Sequence, residues 1–386
     1  MTKVKILVDA RVLEGEGQGS ATYIKGIYNT LAEQYPSQYD IYLAGINFSN
    51  LKKHFPFLDE AHFIPIKSSS TFKRLFFDFP QLLKKHAFDY AHFQYVVPLR
   101  AKANCKFIVT IHDILFNDFP EEFSTFYRLS RNVLFRYAAW KSDLLLTVSN
   151  YSKERLVAHY GIESDRIHIT PNAIDERYRL AFDKQASTQF VRAAFEVDNY
   201  ILYVSRIEPR KNHLLLLRAF RELKLWQHNI QLVFVGNQTL DTPELQAEME
   251  KMTPKEKRYF KWISQVDDYE LLELYRAARL FVYPSKAEGF GIPPIEAAAL
   301  GTPTICANAT AMKDFDFLGV HQFDPGHYGA FCQLLESTLF RPFPEGYWNK
   351  IAKEVAERYS WTVAAQCIHE QVQELAKKDA ITQKAM

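Results

Sequence analysis

The sequence predicts an α/β protein built as two parallel-sheet domains in tandem. Three observations carry this reading. Short apolar runs recur along the chain, they lack strict polar alternation, and amphipathic helical stretches lie between them. Strands buried on both faces read as unbroken apolar runs, and a strand–helix–strand rhythm means a parallel sheet with right-handed crossovers.

The first set of strands is expected at Val4–Ala10, Ile41–Ile46, Phe88–Phe93, Lys106–Ile111 and Asp143–Ser149, with a helix such as Ala21–Tyr35 after the first. A second set follows. Strands are expected at Tyr200–Arg206 and Ile230–Gly236, then in "ARLFVYPS" and "PTICAN", with a helix in "HLLLLRAFREL". The interval from Asp175 to Asn199 is more polar and irregular, so the domain boundary belongs near it. The two Rossmann-like units predict a cleft facing the carboxyl ends of the strands. The segment from Trp361 onward reads as an amphipathic helix with a frayed tail.

Composition narrows the function classes. Lysine and arginine nearly balance the acids, for a formal net charge of +2, so nothing points to nucleic acid. The four cysteines form no CxxC and have no histidine at metal spacing, so free thiols in a reducing compartment are expected. The amino-terminal segment reads as a strand and not as a secretory signal, and no apolar run approaches the ~20 residues of a membrane span. A cytoplasmic protein is expected.

The stretch "SKAEGFGIPPIEAAALGTP", Ser285–Pro303, sets Glu288 and Glu296 on either side of a strand-to-helix loop. Gly289 and Gly291 let the backbone approach a ligand, and Pro293 and Pro294 pre-set the first helical turn. Glu296 is expected in that turn, where a carboxylate suits the positive helix end. Glycine amides and a helix start favour an anionic ligand. The two carboxylates can grip hydroxyls at two ends of one molecule, or serve as a helix-end charge and a surface loop residue.

This string resembles the E-x7-E signature of the retaining glycosyltransferases of GT-B fold, group 1 (glycosyltransferase family 4). The resemblance implies two Rossmann-like domains facing across a cleft, with a C-terminal helix returning to the N-terminal domain. The N-terminal domain would then be residues 1–180 with 365–386, and the donor domain 181–364. It also implies that Glu288 lies beside the donor sugar and Glu296 binds the ribose hydroxyls. Backbone amides around Gly289, Phe290, Gly291 and Ile292 would meet sugar and phosphate.

Other segments extend the likeness. "YVSRIEPRKNH" places Arg206, Arg210 and Lys211 at a strand end. Arginine grips phosphate bidentately, lysine adds a point charge, and both favour a departing diphosphate. The string resembles the family's GRxxPxKN segment, with Ser205 where glycine is usual. Arg206 and Lys211 are thereby implied as diphosphate ligands, and Arg210 is expected outside the site. "TIHD" sets His112 and Asp113 after a buried strand. A lone histidine there is structural or functional by itself; the resemblance implies that His112 reaches the transferred sugar, while Asp113 anchors the turn. Gly17 and Gly19, in "EGEGQGSATYIKGI", form a turn or linker by themselves and a donor-phosphate loop by resemblance, with Ser20 departing from the family pattern. "TVSNYSK" is read as structural, with Ser152 as a helix N-cap. Val266 is implied beside the nucleotide base, ahead of a capped helix in "DDYELLELY".

The implied activity is retaining and metal-independent: a hexose passes from a nucleoside diphosphate sugar, GDP-mannose or UDP-glucose in type, to a hydroxyl of a glycan, lipid-linked or small-molecule acceptor. No protein-bound cofactor and no metal are expected. "TIHDILFNDFPEEF" leans toward the mannosyltransferase-like branch. Two rivals stay open at this point: a GT-B epimerase or phosphorylase, and a non-catalytic nucleotide-sugar-binding protein. Ser70–His86 mixes bulky apolar residues with Lys73, Arg74, Lys84 and Lys85, and reads either as peripheral membrane contact or as a domain helix with a solvated basic face. No oligomeric state is implied.

Overall fold

A computed structural model of the chain describes residues 3–14, 19–68, 70–99 and 104–385. The chain divides into two compact units, Met1–Ala173 with Ser360–Met386, and Ile174–Tyr359. Both crossings fall a few residues ahead of the positions expected from the sequence.

The first unit holds β1 (Val4–Asp9), β2 (Tyr39–Gly45), β3 (Phe63–Pro65), β4 (Tyr90–Gln94), β5 (Lys106–Thr110), β6 (Leu144–Thr147) and β7 (Ile167–Ile169). They form one sheet in the order β3-β2-β1-β4-β5-β6-β7, with every pair parallel. The second unit holds β8 (Tyr200–Val204), β9 (Gln231–Val235), β10 (Phe260–Ile263), β11 (Leu280–Tyr283), β12 (Thr304–Ala307) and β13 (Gln322–Phe323). Their order is β10-β9-β8-β11-β12-β13, again all parallel. Both sheets are Rossmann-like.

Residues such as Leu7 and Val8 in β1, and Ile201 and Leu202 in β8, are wholly buried, as double-faced strands require. The chain direction across each sheet reverses once, between β1 and β4 and between β8 and β11. Ligands of open α/β sheets sit outside the carboxyl ends of the strands at such a reversal.

The helix Trp361–Ala385 belongs to the first unit, where it packs on the helix Gly19–Gln34. A Cβ on Gly26 would lie 2.1 Å from the Trp361 ring, so only glycine lets the two helices meet there. Tyr39 Oη and His369 Nδ1 are 2.7 Å apart, and Tyr35 stacks on the same imidazole. The helix continues through Ala385. Arg74 departs further from expectation. It is buried and ion-paired with Asp9 at 3.0 Å, tying Ser70–His86 to the end of β1. All four cysteines are free thiols.

Candidate active site

The reversal between β8 and β11 carries the charged residues singled out in the sequence. Beyond β8 the chain runs through Arg206 and Glu208 into a short turn, Pro209–Lys211. Beyond β11 it runs through Ser285 to Glu288, and then into the helix Ile292–Ala299. Lys211 Nζ lies 2.6 Å from Glu288 Oε1, which also accepts a hydrogen bond from Tyr283 Oη at 2.9 Å. Arg210 reaches Glu288 Oε2 at 3.3 Å and Glu208 Oε2 at 3.0 Å. Glu208 Oε1 stands 3.3 Å from Arg206 Nε and accepts from Thr239 Oγ1 at 2.9 Å. The result is an alternating series, Arg206–Glu208–Arg210–Glu288–Lys211, with three cations against two carboxylates.

Arg210 therefore sits inside the cluster, contrary to the expectation that it lies outside. The turn Pro209–Lys211 swings its guanidinium back over the loop after β11, where it also bonds the Ala287 carbonyl at 2.8 Å. Glu208 was not singled out in the sequence, because a single acid in a basic turn carries no spacing signal. Lys211 and Glu288 are each 7% exposed, while the Arg206 side chain is 57% exposed. The series thus runs from a buried ion pair out to an accessible guanidinium. Burial opposes ionisation of Glu288, yet Lys211 and Arg210 outweigh it and hold the carboxyl at about 2. Burial likewise pulls the Lys211 ammonium below its ordinary value, and Glu288 opposes that pull.

The backbone around the cluster is held in conformations that side chains disfavour. Gly236, at the end of β9, has φ +139, and a Cβ there would meet the Ser205 carbonyl oxygen at 2.2 Å. Only glycine lets β9 end against Ser205, the residue ahead of Arg206. Gly291 has φ +100 and caps the helix Ile292–Ala299. Asn212 (φ 58) and Thr310 (φ 48) are left-handed without being glycine. For a β-branched threonine that strain costs ~1–3 kcal/mol. Thr310 puts it to use: its hydroxyl accepts the Glu288 backbone N–H at 2.8 Å. The Phe290 side chain is buried against Phe315 and Tyr359, so any contact it makes with a ligand is through its backbone. Ile292 opens the helix.

Glu296 belongs to a second cluster. It is the fifth residue of its helix and not a first-turn charge, since Ile292–Pro294 are already helical. Tyr275 Oη donates to its Oε2 at 3.0 Å, and the Tyr178 hydroxyl and the Arg177 charge also act on it. Burial raises its carboxyl from 4.5 to about 7, against the pull of Tyr275 and Arg177. Rings at 5.4–6.1 Å spacings, Tyr178–Tyr275–Phe281–Tyr283, run from Glu296 to the Tyr283 hydroxyl on Glu288. The two glutamates thus occupy two separate hydrogen-bonded clusters of one unit. Val266 is half-buried in the loop between β10 and the helix Asp268–Ala277. That helix opens with the Asp267–Glu270 capping box, as the sequence leads one to expect.

The Glu296 carboxyl gives a pH prediction. Because its folded value lies above its ordinary one, the native state holds a proton that the unfolded chain has released between about pH 4.5 and 7. This group's contribution to stability therefore falls as pH rises through that window and is level above it. An ionised carboxylate is the stronger acceptor for a hydroxyl, so with Glu296 as a ribose contact nucleotide affinity is expected to rise toward pH 7. Isothermal titration with a nucleoside diphosphate from pH 5.5 to 8 checks this, and Glu296→Gln is expected to flatten the profile and weaken binding by roughly tenfold or more, the worth of a charge-assisted hydrogen bond.

The remaining candidates lie in the first unit. His112, after β5, is buried, and its Nε2 is 2.6 Å from Gln94 Oε1. Burial lowers its imidazole to about 3, so the ring is neutral near pH 7. An Nε2–H donated to Gln94 leaves Nδ1 as an acceptor. Ser152 is not the cap of its helix. Ser149 caps Asn150–Tyr160, and Ser152 Oγ donates to the His112 carbonyl at 2.7 Å. The segment read as structural therefore also fixes His112. Asp113 accepts the Leu115 N–H at 3.2 Å, the turn-anchoring role expected of it. Gly19 is the exposed first residue of its helix, and Gly17 lies outside the described residues.

Two parallel-sheet Rossmann-like units are the fold of the GT-B glycosyltransferases. The family model for glycosyl transferases group 1 matches residues 185–315, and that for glycosyltransferase family 4 matches 19–178. The chain belongs to this family. Among curated relatives, O-antigen chain mannosyltransferase B of Escherichia coli is 28% identical over 225 residues, 57% of this chain. The O-antigen chain mannosyltransferase RfbU of Salmonella typhimurium is 30% identical over 203 residues, 52% of this chain. The chain spans 58% and 51% of the length of these two relatives. Among solved structures, a glycosyltransferase of Rickettsia africae superposes with TM-score 0.73 at 17% identity, over 98% of this chain and all of that one. Anabaena HepE, solved with UDP and glucose, superposes with TM-score 0.70 at 16% identity, over 96% of this chain and all of that one.

Proposed function

We propose that the chain moves a hexose, with retention, from a nucleoside diphosphate sugar to a hydroxyl of a glycan or lipid-linked acceptor in polysaccharide or glycoconjugate synthesis. One observation carries the reading: the series Arg206–Glu208–Arg210–Glu288–Lys211 at the carboxyl ends of β8 and β11. In this reading Arg206 and Lys211 meet the diphosphate, Glu288 and the amides near Gly289 and Gly291 meet the sugar, and Glu296 holds the ribose. As the anomeric carbon–oxygen bond breaks, negative charge gathers on the departing diphosphate. The cations favour that state over the ground state, and no metal is called on. The acceptor oxygen attacks from the same face, and its proton passes to the departing phosphate oxygen. For His112 a hydrogen bond accepted from a sugar hydroxyl fits its neutral ring.

A mannose donor is favoured by the mannosyltransferase relatives; we take GDP-mannose as the first choice of donor and a UDP-glucose type donor as the second. Among the described residues no helix is long and apolar enough to cross a membrane. We place the protein in the cytoplasm with peripheral contact at the membrane. Incubation with a panel of nucleotide sugars tests the reading. Slow release of nucleoside diphosphate from one donor, accelerated by a glycan acceptor, is expected. Inversion at C2 of the sugar would instead mean an epimerase, and binding without turnover a sensor.

A further inference from the structure

The helix Thr125–Lys141, which links β5 to β6, buries one face and leaves the other bare. Phe135, Ala138 and Ala139 pack into the core cluster of the first unit. On the opposite side Phe126 (83% exposed), Leu129 (63%), Val133 (70%), Tyr137 (37%) and Trp140 (54%) stand in solvent. Their spacing of three and four residues puts them in one stripe, within about a quarter turn of the helix circumference at ~100° per residue. Single exposed apolar residues are ordinary, but a continuous stripe of large ones marks an interaction surface.

Charge identifies the occupant. The helix carries Arg128, Arg131, Arg136 and Lys141 and no acid, and Glu121 and Glu122 lie ahead of its first turn. Arg136 and Lys141 are exposed and, by helical position, flank the stripe on its two sides. Arg166 stands over the Trp140 ring at 6.0 Å, and the indole N–H is turned inward onto the Tyr160 carbonyl, leaving the ring's apolar edge outward. A second copy laid on this stripe would bring like charges together along its length. An anionic bilayer instead takes the apolar stripe into the headgroup boundary and the basic flanks onto its phosphates.

The helix Phe79–Lys85, between β3 and β4, adds to the same face. Both connections advance in the same direction across the sheet, so right-handed crossovers put them on one side of it, and Phe79 and Leu83 share the core cluster with Phe135. Just ahead of it Phe72 and Phe77 are 61% and 56% exposed, with Lys73 exposed between them. Ser70–His86 is thus the lesser contributor, its Arg74 being consumed by Asp9.

We infer that the helix Thr125–Lys141 is a monotopic docking surface for an anionic lipid bilayer, with Phe126, Leu129, Val133 and Trp140 as the inserted residues. The inference rests on the surface of the first unit and stands whether or not the transfer reading does. Co-sedimentation of the full chain with phosphatidylglycerol-containing vesicles, against pure phosphatidylcholine, tests it. The chain is expected to pellet with the anionic vesicles only. The triple variant F126S/L129S/V133S is expected to abolish binding, and R136E/K141E to lower it about tenfold or more, at ~1 kcal/mol for each charge. All five positions are exposed, so unchanged melting curves are expected in both variants. The inference is overturned if the wild-type chain stays in the supernatant, if both variants bind as it does, or if light scattering shows a wild-type dimer that F126S/L129S/V133S dissolves.

Discussion

Lys211→Ala is expected to lower glycosyl transfer by about 10²–10³-fold, the usual loss when one preorganised charge-stabilising group is removed from a site. The loss should fall on turnover more than on donor binding, because the lysine's contact strengthens as charge moves onto the diphosphate. Removing one member of a buried ion pair also costs stability, ~3–5 kcal/mol when the partner is left alone. Here Glu288 keeps Arg210 at 3.3 Å and Tyr283 at 2.9 Å, so the variant should fold with a lowered Tm. Steady-state kinetics with the preferred donor, read beside a melting curve, separates the two effects. Wild-type turnover in a folded Lys211→Ala protein would remove the lysine from the chemistry.

Glu288→Gln is expected to cost as much, by a different route. The amide keeps the shape of the side chain but takes away the counter-charge of Lys211, which lies at 2.6 Å. Burial already lowers the lysine, and Glu288 is the main group opposing that shift. Without it Lys211 should lose its proton nearer neutral pH. The sign is definite: the ammonium exists below its pKa, so residual activity of Glu288→Gln should fall with rising pH. The wild-type protein, with the pair intact, should show that fall only at higher pH. A pH–rate profile of both proteins reads this directly, and parallel profiles would break the proposed coupling.

The central strands of both sheets were legible in the sequence because each is buried on two faces and so forms a continuous apolar run. The strands missed are β3, β7, β10 and β13, the outermost strands of the two sheets. Each has a neighbour on one side only and is two to four residues long, too short for a period to show. At the site, clustered glycines, prolines and basic residues drew notice to two segments, and the family resemblance picked out Glu288, Glu296, Arg206 and Lys211 within them. Their division into two clusters could not. It depends on Tyr178 and Tyr275, which come from segments far apart in the chain and whose hydroxyls, not spacing, select Glu296. Arg210 and Ser152 were misread for a related reason: which way a side chain turns at the end of a short turn or a helix is decided by tertiary partners. The basic aromatic stretch Ser70–His86 drew notice by composition alone. Composition cannot tell that Arg74 is buried, nor that the helix Thr125–Lys141 bares its apolar stripe.

The most direct test of the account is calorimetric titration of GDP-mannose and UDP-glucose into the wild-type chain and into the double variant R206A/K211A. The account predicts one-to-one binding of one donor to the wild-type chain, weakened by rising salt, and affinity at least tenfold lower in the variant, whose loss of two phosphate contacts is worth more than one charged hydrogen bond. Failure of both nucleotide sugars to bind the folded wild-type chain, or equal affinity in the variant, would contradict it.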